Sequence, residues 1–205
     1  MKRTKQIILT LFIGLLLFGC NSTTKTENNT TSPDSTIENQ SDNSFYFDEF
    51  NISKSQLGNI KIGMTIEDAE RQFAGLSRKV DVATKFGLGG GSRAYLYYSG
   101  DELIFGLIPK LSTDTLLFII AAHKNLQTTN GLNPNSTVEE LLREYPELTV
   151  NQDLMNGGEF FQDLENDWDF VFKTTEKTEI GEYPELEVPS KPKRLTTKSD
   201  WIIIR

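Results

Sequence analysis

The chain has 205 residues, with 21 Lys and Arg against 29 Asp and Glu, which gives a formal net charge of -8. A single Cys excludes an internal disulfide and any CxxC site, and a single His excludes HExxH and every two-His metal site. The acidic balance argues against general binding of nucleic acid.

The amino terminus has the pattern of a secretory leader. Lys2, Arg3 and Lys5 form a positive segment, and Ile7 to Gly19 follows without a charge. That run is too short for a spanning helix, which needs roughly twenty apolar residues. We expect residues 1–19 to be a signal peptide that is cleaved.

The end of the leader resembles the lipobox of bacterial lipoproteins. It reads Leu17-Phe18-Gly19-Cys20, with a small residue before the Cys. The resemblance implies a diacylglycerol on the sulfur of Cys20, which becomes the first residue of the mature chain. Two or more acyl chains hold a protein stably on a membrane. Asn21, in place of the Asp of an inner-membrane retention signal, favours the outer membrane if the source has two membranes; a single-membraned source stays open.

The lipidated segment leads into a polar linker. Residues 20–44 are rich in Asn, Ser and Thr and contain almost no apolar side chains after Cys20. Such a composition cannot bury enough surface to offset the entropy of ordering, so we expect a disordered tether. Residues 45–205 then form the folded body.

Two segments of the body align without gaps at an offset of 72 positions. Residues 65–76 and 137–148 each begin with an [ST]-x-x-[DE] pattern, headed by Thr65 and Thr137, and place apolar residues on one helical face. The pattern predicts two short helices with the same capping box. Residues 58–125 and 130–205 would then be two repeats.

Four strands are predicted after each helix. Short turns between them indicate antiparallel pairing, hence an α+β fold with two sheets that share one core. The predicted strands are Val80–Phe86, Arg93–Ser99, Glu102–Pro109 and Thr115–His123 in the first half, and Thr149–Met155, Glu159–Leu164, Asp167–Thr175 and Trp201–Arg205 in the second.

Residues 58–175 also resemble two known groups. Ile62-Gly63-Met64-Thr65 is similar to the opening of outer-membrane assembly lipoproteins of the SmpA/OmlA type, and Lys124 to Pro146 is similar to a pattern of uncharacterised exported bacterial proteins. Both resemble the tandem-repeat architecture of the β-lactamase inhibitor protein. The resemblance implies a fold and, by analogy, protein binding; it implies no active site.

The residues that could carry out chemistry or bind a metal favour structural interpretations instead. His123 has no triad partner nearby, and the glycines of residues 87–93 fit a hairpin turn better than a phosphate loop. Asp163, Glu165, Asp167 and Asp169 lack the twelve-residue calcium pattern and fit solvated charges. We therefore expect no enzyme activity, no catalytic residue, no metal and no cofactor.

Binding candidates are three tyrosines. Tyr95 and Tyr97 alternate on one strand face and form either a contact stripe or packing, with packing favoured. Tyr183 lies in the long segment Lys177–Ser199, which is either a contact loop or a disordered excursion. Trp168 and Trp201 fit the core.

Three functions stay open at this point. The first is a non-catalytic protein-binding module of the cell envelope, which assists assembly or inhibits an enzyme, with an envelope protein as partner. The second is a binder of a small molecule or glycan that works through Tyr95, Tyr97 and the glycine-rich turn. The third is an enzyme with paired carboxylates, which needs two Asp or Glu side chains roughly 5–10 Å apart in a cleft.

Overall fold

The computed structural model describes residues 44–186 and 188–205. The predicted signal peptide, Cys20 and the predicted tether lie outside the described residues, except for Ser44. The described chain begins with a short 3₁₀ helix, Phe47–Glu49, and a small antiparallel sheet of three strands that the sequence pattern did not predict. These strands are β1 (Ile52–Ser53), β2 (Gln56–Leu57) and β3 (Ile60–Lys61).

Two α-helices and eight further strands form most of the rest of the body within the described residues. The first half contains α1 (Ile66–Glu70), β4 (Ser77–Val82), β5 (Arg93–Ser99), β6 (Glu102–Pro109) and β7 (Leu116–Ala121). The second contains α2 (Val138–Glu144), β8 (Asn151–Gln152), β9 (Glu159–Asp163), β10 (Trp168–Phe172) and β11 (Trp201–Ile204). All strand pairs are antiparallel, and the few helices are short, so the α+β class is confirmed.

The eight strands form one continuous sheet in the order β4-β5-β6-β7-β11-β10-β9-β8. The expectation of two four-stranded sheets, one for each half, was therefore wrong, because the strands of both halves belong to one sheet. The last strand of each half pairs with the last strand of the other, and Ile120 lies opposite Ile203. These strands are apolar on both faces, as a position at the centre of a covered sheet requires.

Two predicted strands differ from the structure. Val80–Phe86 divides into the end of β4 and a 3₁₀ helix, Ala83–Phe86, whose Ala83 and Phe86 are buried. Thr149–Met155 contributes only the two residues of β8 to the sheet. In both cases tertiary contacts, which no local pattern contains, decide where pairing stops.

Both helices begin at the predicted threonine and dock in the same way. The N–H of Ile66 donates to the carbonyl of Asp114 at 2.9 Å, and the N–H of Val138 donates to that of Thr197 at 2.9 Å. Each acceptor lies shortly before the last strand of its half. The helix start is thereby tied to the centre of the sheet in both halves.

The two caps differ in one detail. Thr137 and Glu140 form the full capping box, in which each side chain accepts from the other's backbone N–H. Thr65 accepts from the N–H of Asp68, but the Asp68 carboxylate accepts from the Thr65 hydroxyl and from Arg71. The predicted box is complete only in α2, because an aspartate is one methylene shorter than a glutamate.

We expect Thr137→Ala to lower the free energy of unfolding by about 1 kcal/mol, since the N–H of Glu140 loses its acceptor. Thr137→Ser retains a hydroxyl and is the matched control.

The N–H of Thr137 holds the pKa of Glu140 below its ordinary value. A carboxyl group whose pKa is lower in the folded protein than in the unfolded chain stabilises the fold at pH values above its pKa in the unfolded chain. This contribution is lost as the pH falls through the pKa of the folded protein. In urea unfolding, the cost of Glu140→Gln should thus be present at pH 7 and shrink as the carboxylate is protonated; a cost that does not change with pH would contradict the box.

The sheet has two faces with different covers. Both helices and the three-stranded sheet pack on the front face, where Phe105 and Phe170 are fully buried. The back face is covered in part by the strap, which we define as residues 83–92 between β4 and β5. No helix in the described part of the chain is long and apolar enough to cross a membrane.

Candidate functional site

The three candidate tyrosines do not form one surface. Tyr97 is only 2% exposed, packs against Phe73 and Phe105 on the front face, and donates its hydroxyl to Glu70 Oε1 at 2.7 Å. Burial and this contact raise its pKa above the ordinary value. The exposed stripe of Tyr95 and Tyr97 is therefore wrong, and Tyr97 is a core residue.

Tyr95 lies beside a hollow. This hollow has a volume of about 620 Å³ and is polar in character, with Arg93, Lys110 and Asp114 among its lining residues. Tyr95 is half-buried, and the guanidinium of Arg78 stands 5.4 Å from the centre of its ring. Of the two strand tyrosines, only Tyr95 can therefore contribute to binding of a small molecule or glycan, together with the end of the glycine-rich turn.

Tyr183 belongs to an ordered loop that a buried carboxylate anchors. Glu159, at the start of β9, is 1% exposed and accepts four hydrogen bonds at 2.7–2.8 Å. The donors are the N–H groups of Ile180 and Gly181 and the hydroxyls of Thr174 and Tyr183. Burial, together with the contact to Glu159, raises the pKa of Tyr183. The described part of segment 177–199 is therefore packed on the body, and a disordered excursion was the wrong alternative there.

Two of the four carboxylates expected to be solvated are buried. Asp163 is 6% exposed and accepts from the Tyr145 hydroxyl and from Asn166 at 2.7 Å each. Burial alone would raise its pKa, but these hydrogen bonds outweigh burial and lower it. Asp169 is 3% exposed and lies on the back face. Within residues 44–186 and 188–205, no group of three or more His, Cys, Asp or Glu residues could hold a metal ion.

The expectation for the tryptophans is confirmed, since both are buried. Trp168 is 3% exposed on the front face, and its indole N–H donates to the carbonyl of Ser53. Trp201 packs on the back face against Phe86 of the strap. His123 is also buried, stacks on Phe47 and lies 3.1 Å from Glu102 Oε1, so it helps to pack the chain at the end of β7.

The back face of the sheet has a group of partly exposed apolar side chains. Half-buried apolar and aromatic side chains of the strands surround the part that the strap covers: Tyr98, Leu103, Phe118 and Val171. Lys79 and Lys173 place their ammonium groups over aromatic rings of this face, at 4.4 Å from the ring centre of Tyr98 and 5.4 Å from that of Trp201. We call this surface the open face.

The strap connects the two halves across the open face. Asn156, in the turn between β8 and β9, donates its side-chain amide to the carbonyl of Gly87 at 3.0 Å. Gly87 has a φ of 76°, in the left-handed region that favours glycine, and a Cβ there would come within 3.2 Å of Asp153 Oδ2. The close approach of strap and turn therefore depends on a residue without a side chain.

A small cavity lies between the strap and the second half of the sheet. Its volume is about 90 Å³, and Phe86 and Leu88 of the strap face Asp169, Val171 and Arg205 across it. Asp169 Oδ2 pairs with the guanidinium of Arg205, whereas Asp169 Oδ1 accepts no hydrogen bond. Burial raises the pKa of Asp169, against the opposing effects of Arg205 and Gln162. Sequence patterns placed Asp169 on a polar strand face and contained no signal for its cover.

The comparisons with known proteins add little to this geometry. No family model matches the chain, and no curated protein matches it. Among solved structures it is similar to the uncharacterized protein yfeY from Escherichia coli, at 14% sequence identity and a TM-score of 0.47. The match covers 77% of this chain and 97% of that one.

Proposed function

We propose that this chain is an exported lipoprotein whose body is a non-catalytic protein-binding module of the cell envelope. The observation that carries the proposal is the open face, where half-buried side chains such as Tyr98, Phe118 and Val171 lie together at the surface. Grouped apolar side chains of this kind mark interaction sites, and aromatic residues dominate the binding energy of protein interfaces. The sheet beneath supplies a rigid platform for them.

The body is proposed to be a tandem repeat of one short helix and four strands. Three features support this: the sequence alignment of the two helices, the order of helix and strands in each half, and the matching hydrogen bonds of Ile66 and Val138. A second pair of matching hydrogen bonds supports the tandem repeat further. The N–H of Leu116 donates to the carbonyl of Met64, and the N–H of Ser199 donates to that of Ser136.

The anchor is proposed to be a lipid on Cys20, with the outer membrane as the favoured site if the source has two membranes. The leader pattern supports it, as does the absence of a second Cys. The acidic charge of -8 gives little attraction to an anionic membrane surface, so the acyl chains would supply the binding energy. The partners are thus a membrane, through Cys20, and an envelope protein, through the open face.

A photoreactive phenylalanine analogue at Phe118 tests the open face. We expect it to crosslink one envelope protein in intact cells, because an aromatic analogue fits the half-buried site. The matched control carries the analogue at Leu164, which is 74% exposed in the turn after β9 and away from the open face. Val171→Asp should weaken the Phe118 adduct, since it places a charge within the apolar surface.

The partner in the adduct is identified by mass spectrometry, and its affinity for the purified body is then measured with and without Val171→Asp. Equal adducts from positions 118 and 164, or an affinity that Val171→Asp leaves unchanged, would contradict the proposal.

The second candidate is a binder of a small molecule or glycan, which the hollow beside Tyr95 favours. Saccharide binding that Tyr95→Ala abolishes, without any Phe118 adduct, would support that candidate instead.

A further inference from the structure

We propose that the cavity beneath the strap is a binding site for a primary ammonium group, and that the natural ligand is a lysine side chain of the protein partner. The inference deepens the proposed function and rests on it for the identity of the ligand. The cavity itself is defined by residues of this chain alone, from the strap, the turn between β8 and β9, and strands β9, β10 and β11.

Asp169 provides the site with its charge. Its side chain is 4% exposed, and Oδ1 is buried and accepts no hydrogen bond within the described residues, with Gln162 of β9 as its cross-strand neighbour. A buried acceptor without a donor costs free energy, and more when it is charged. A donor that enters the cavity recovers this cost, which a donor bound at an exposed carboxylate cannot do.

The arrangement selects the kind of donor. Arg205 already occupies Oδ2, so one oxygen of Asp169 is free, and the paired geometry that a guanidinium prefers is not available. An ammonium group is a compact charge that donates from a single point and fits one free oxygen. The Asp153 carboxylate also lines the cavity, so two carboxylates there face the single guanidinium of Arg205 and leave one negative charge for a ligand to neutralise.

The size and the walls fit the stem of such a side chain. The cavity holds about 90 Å³, which is roughly the volume of three water molecules in the liquid. Its apolar lining includes Phe86, Leu88, Phe160, Val171 and Ile203, which suit methylene groups. A lysine side chain has an apolar stem and a charged tip, and it can bury the first while the second is paired.

The test is a titration of the purified body with n-butylammonium chloride, followed by methyl NMR signals of Val171 and Ile203. We expect saturable shifts at these methyl groups, because both line the cavity. Tetramethylammonium chloride at equal ionic strength is the control ligand: it has the same charge but no N–H to donate. It should produce no saturable shift.

Asp169→Asn is the matched variant, since it removes the charge and leaves the shape almost unchanged. We expect it to weaken binding of n-butylammonium about tenfold or more, because a hydrogen bond to a charged acceptor is replaced by a neutral one. Asp153→Asn, at the rim, should weaken it less. If Asp169→Asn does not fold, the comparison of the two ligands on the unaltered protein decides alone.

A linear shift, or equal shifts with both salts, would overturn the ammonium site even if the open face still crosslinks a partner at Phe118. Conversely, a saturable site without a Phe118 adduct would retain the cavity and overturn the proposed function. If both hold, replacing single lysines of the identified partner by methionine should locate one whose loss mimics Asp169→Asn. Failure of every such lysine would overturn the assignment of the natural ligand.

Discussion

Glu159→Ala should lower the free energy of unfolding by about 3–5 kcal/mol, a large share of the 5–15 kcal/mol that holds a typical domain folded. The carboxylate accepts from two buried backbone N–H groups, of Ile180 and Gly181, and from two hydroxyls. Each buried donor left without a partner costs about 1–3 kcal/mol. The variant also leaves a cavity where the side chain was packed.

The measurement is urea unfolding, together with limited proteolysis of the loop. Because the four donors lie on the loop and its approach, we expect cleavage within residues 177–199 before the sheet unfolds. The matched control is Glu185→Ala, an exposed glutamate in the same loop, which should change stability by less than about 0.5 kcal/mol. Equal stability of the two variants would show that Glu159 does not anchor the loop.

Cys20→Ser is expected to abolish lipid attachment completely. A serine hydroxyl does not replace the sulfur that receives the diacylglycerol in the lipoproteins that the leader resembles. The protein should then lose incorporation of a fatty-acid probe and move to the soluble fraction, or remain with its leader uncleaved. Labelling that persists in the variant would refute the anchor.

Asn21→Asp is the matched control for this experiment. It retains Cys20, so probe incorporation should be unchanged. In a source with two membranes, it should shift the protein from the outer to the inner membrane, because Asp in this position resembles a retention signal. Unchanged localisation would contradict outer-membrane sorting through position 21, while leaving the lipid itself intact.

The strands of the sheet could be predicted where local alternation and turn signals agree. Arg93–Ser99 and Glu102–Pro109 match β5 and β6 residue for residue, since Ser99 to Asp101 forms a tight turn between them. The hydroxyl caps at Thr65 and Thr137 were predicted for the same reason: the signal lies within four residues. The three strands β1–β3 were missed because two-residue strands contain too little pattern.

The candidate site could not be predicted, because its parts are distant in sequence. Asp169 alternates with Trp168 and Phe170 in β10, which is typical of a strand with one solvated face. Its burial depends on the strap, about eighty residues earlier, which no periodicity places over β10. Packing was favoured for Tyr97, and its burial agrees, but the sequence left the contact stripe open because alternation separates two strand faces and does not tell which one the helices cover.

The pairing of β7 with β11 delays completion of the sheet until most of the chain has been synthesised. Ile119 to Ala121 find their partners at Ile202 to Ile204, so the two inner strands of the sheet are joined by one of its longest-range contacts. Contacts between residues far apart in sequence slow the search for the native state, to milliseconds or longer in sheet-rich domains. The first half can form its own four strands early, yet β7 keeps an unpaired edge until the other half has been synthesised. In the exported chain that we propose, that edge is where a chaperone would have the most to protect.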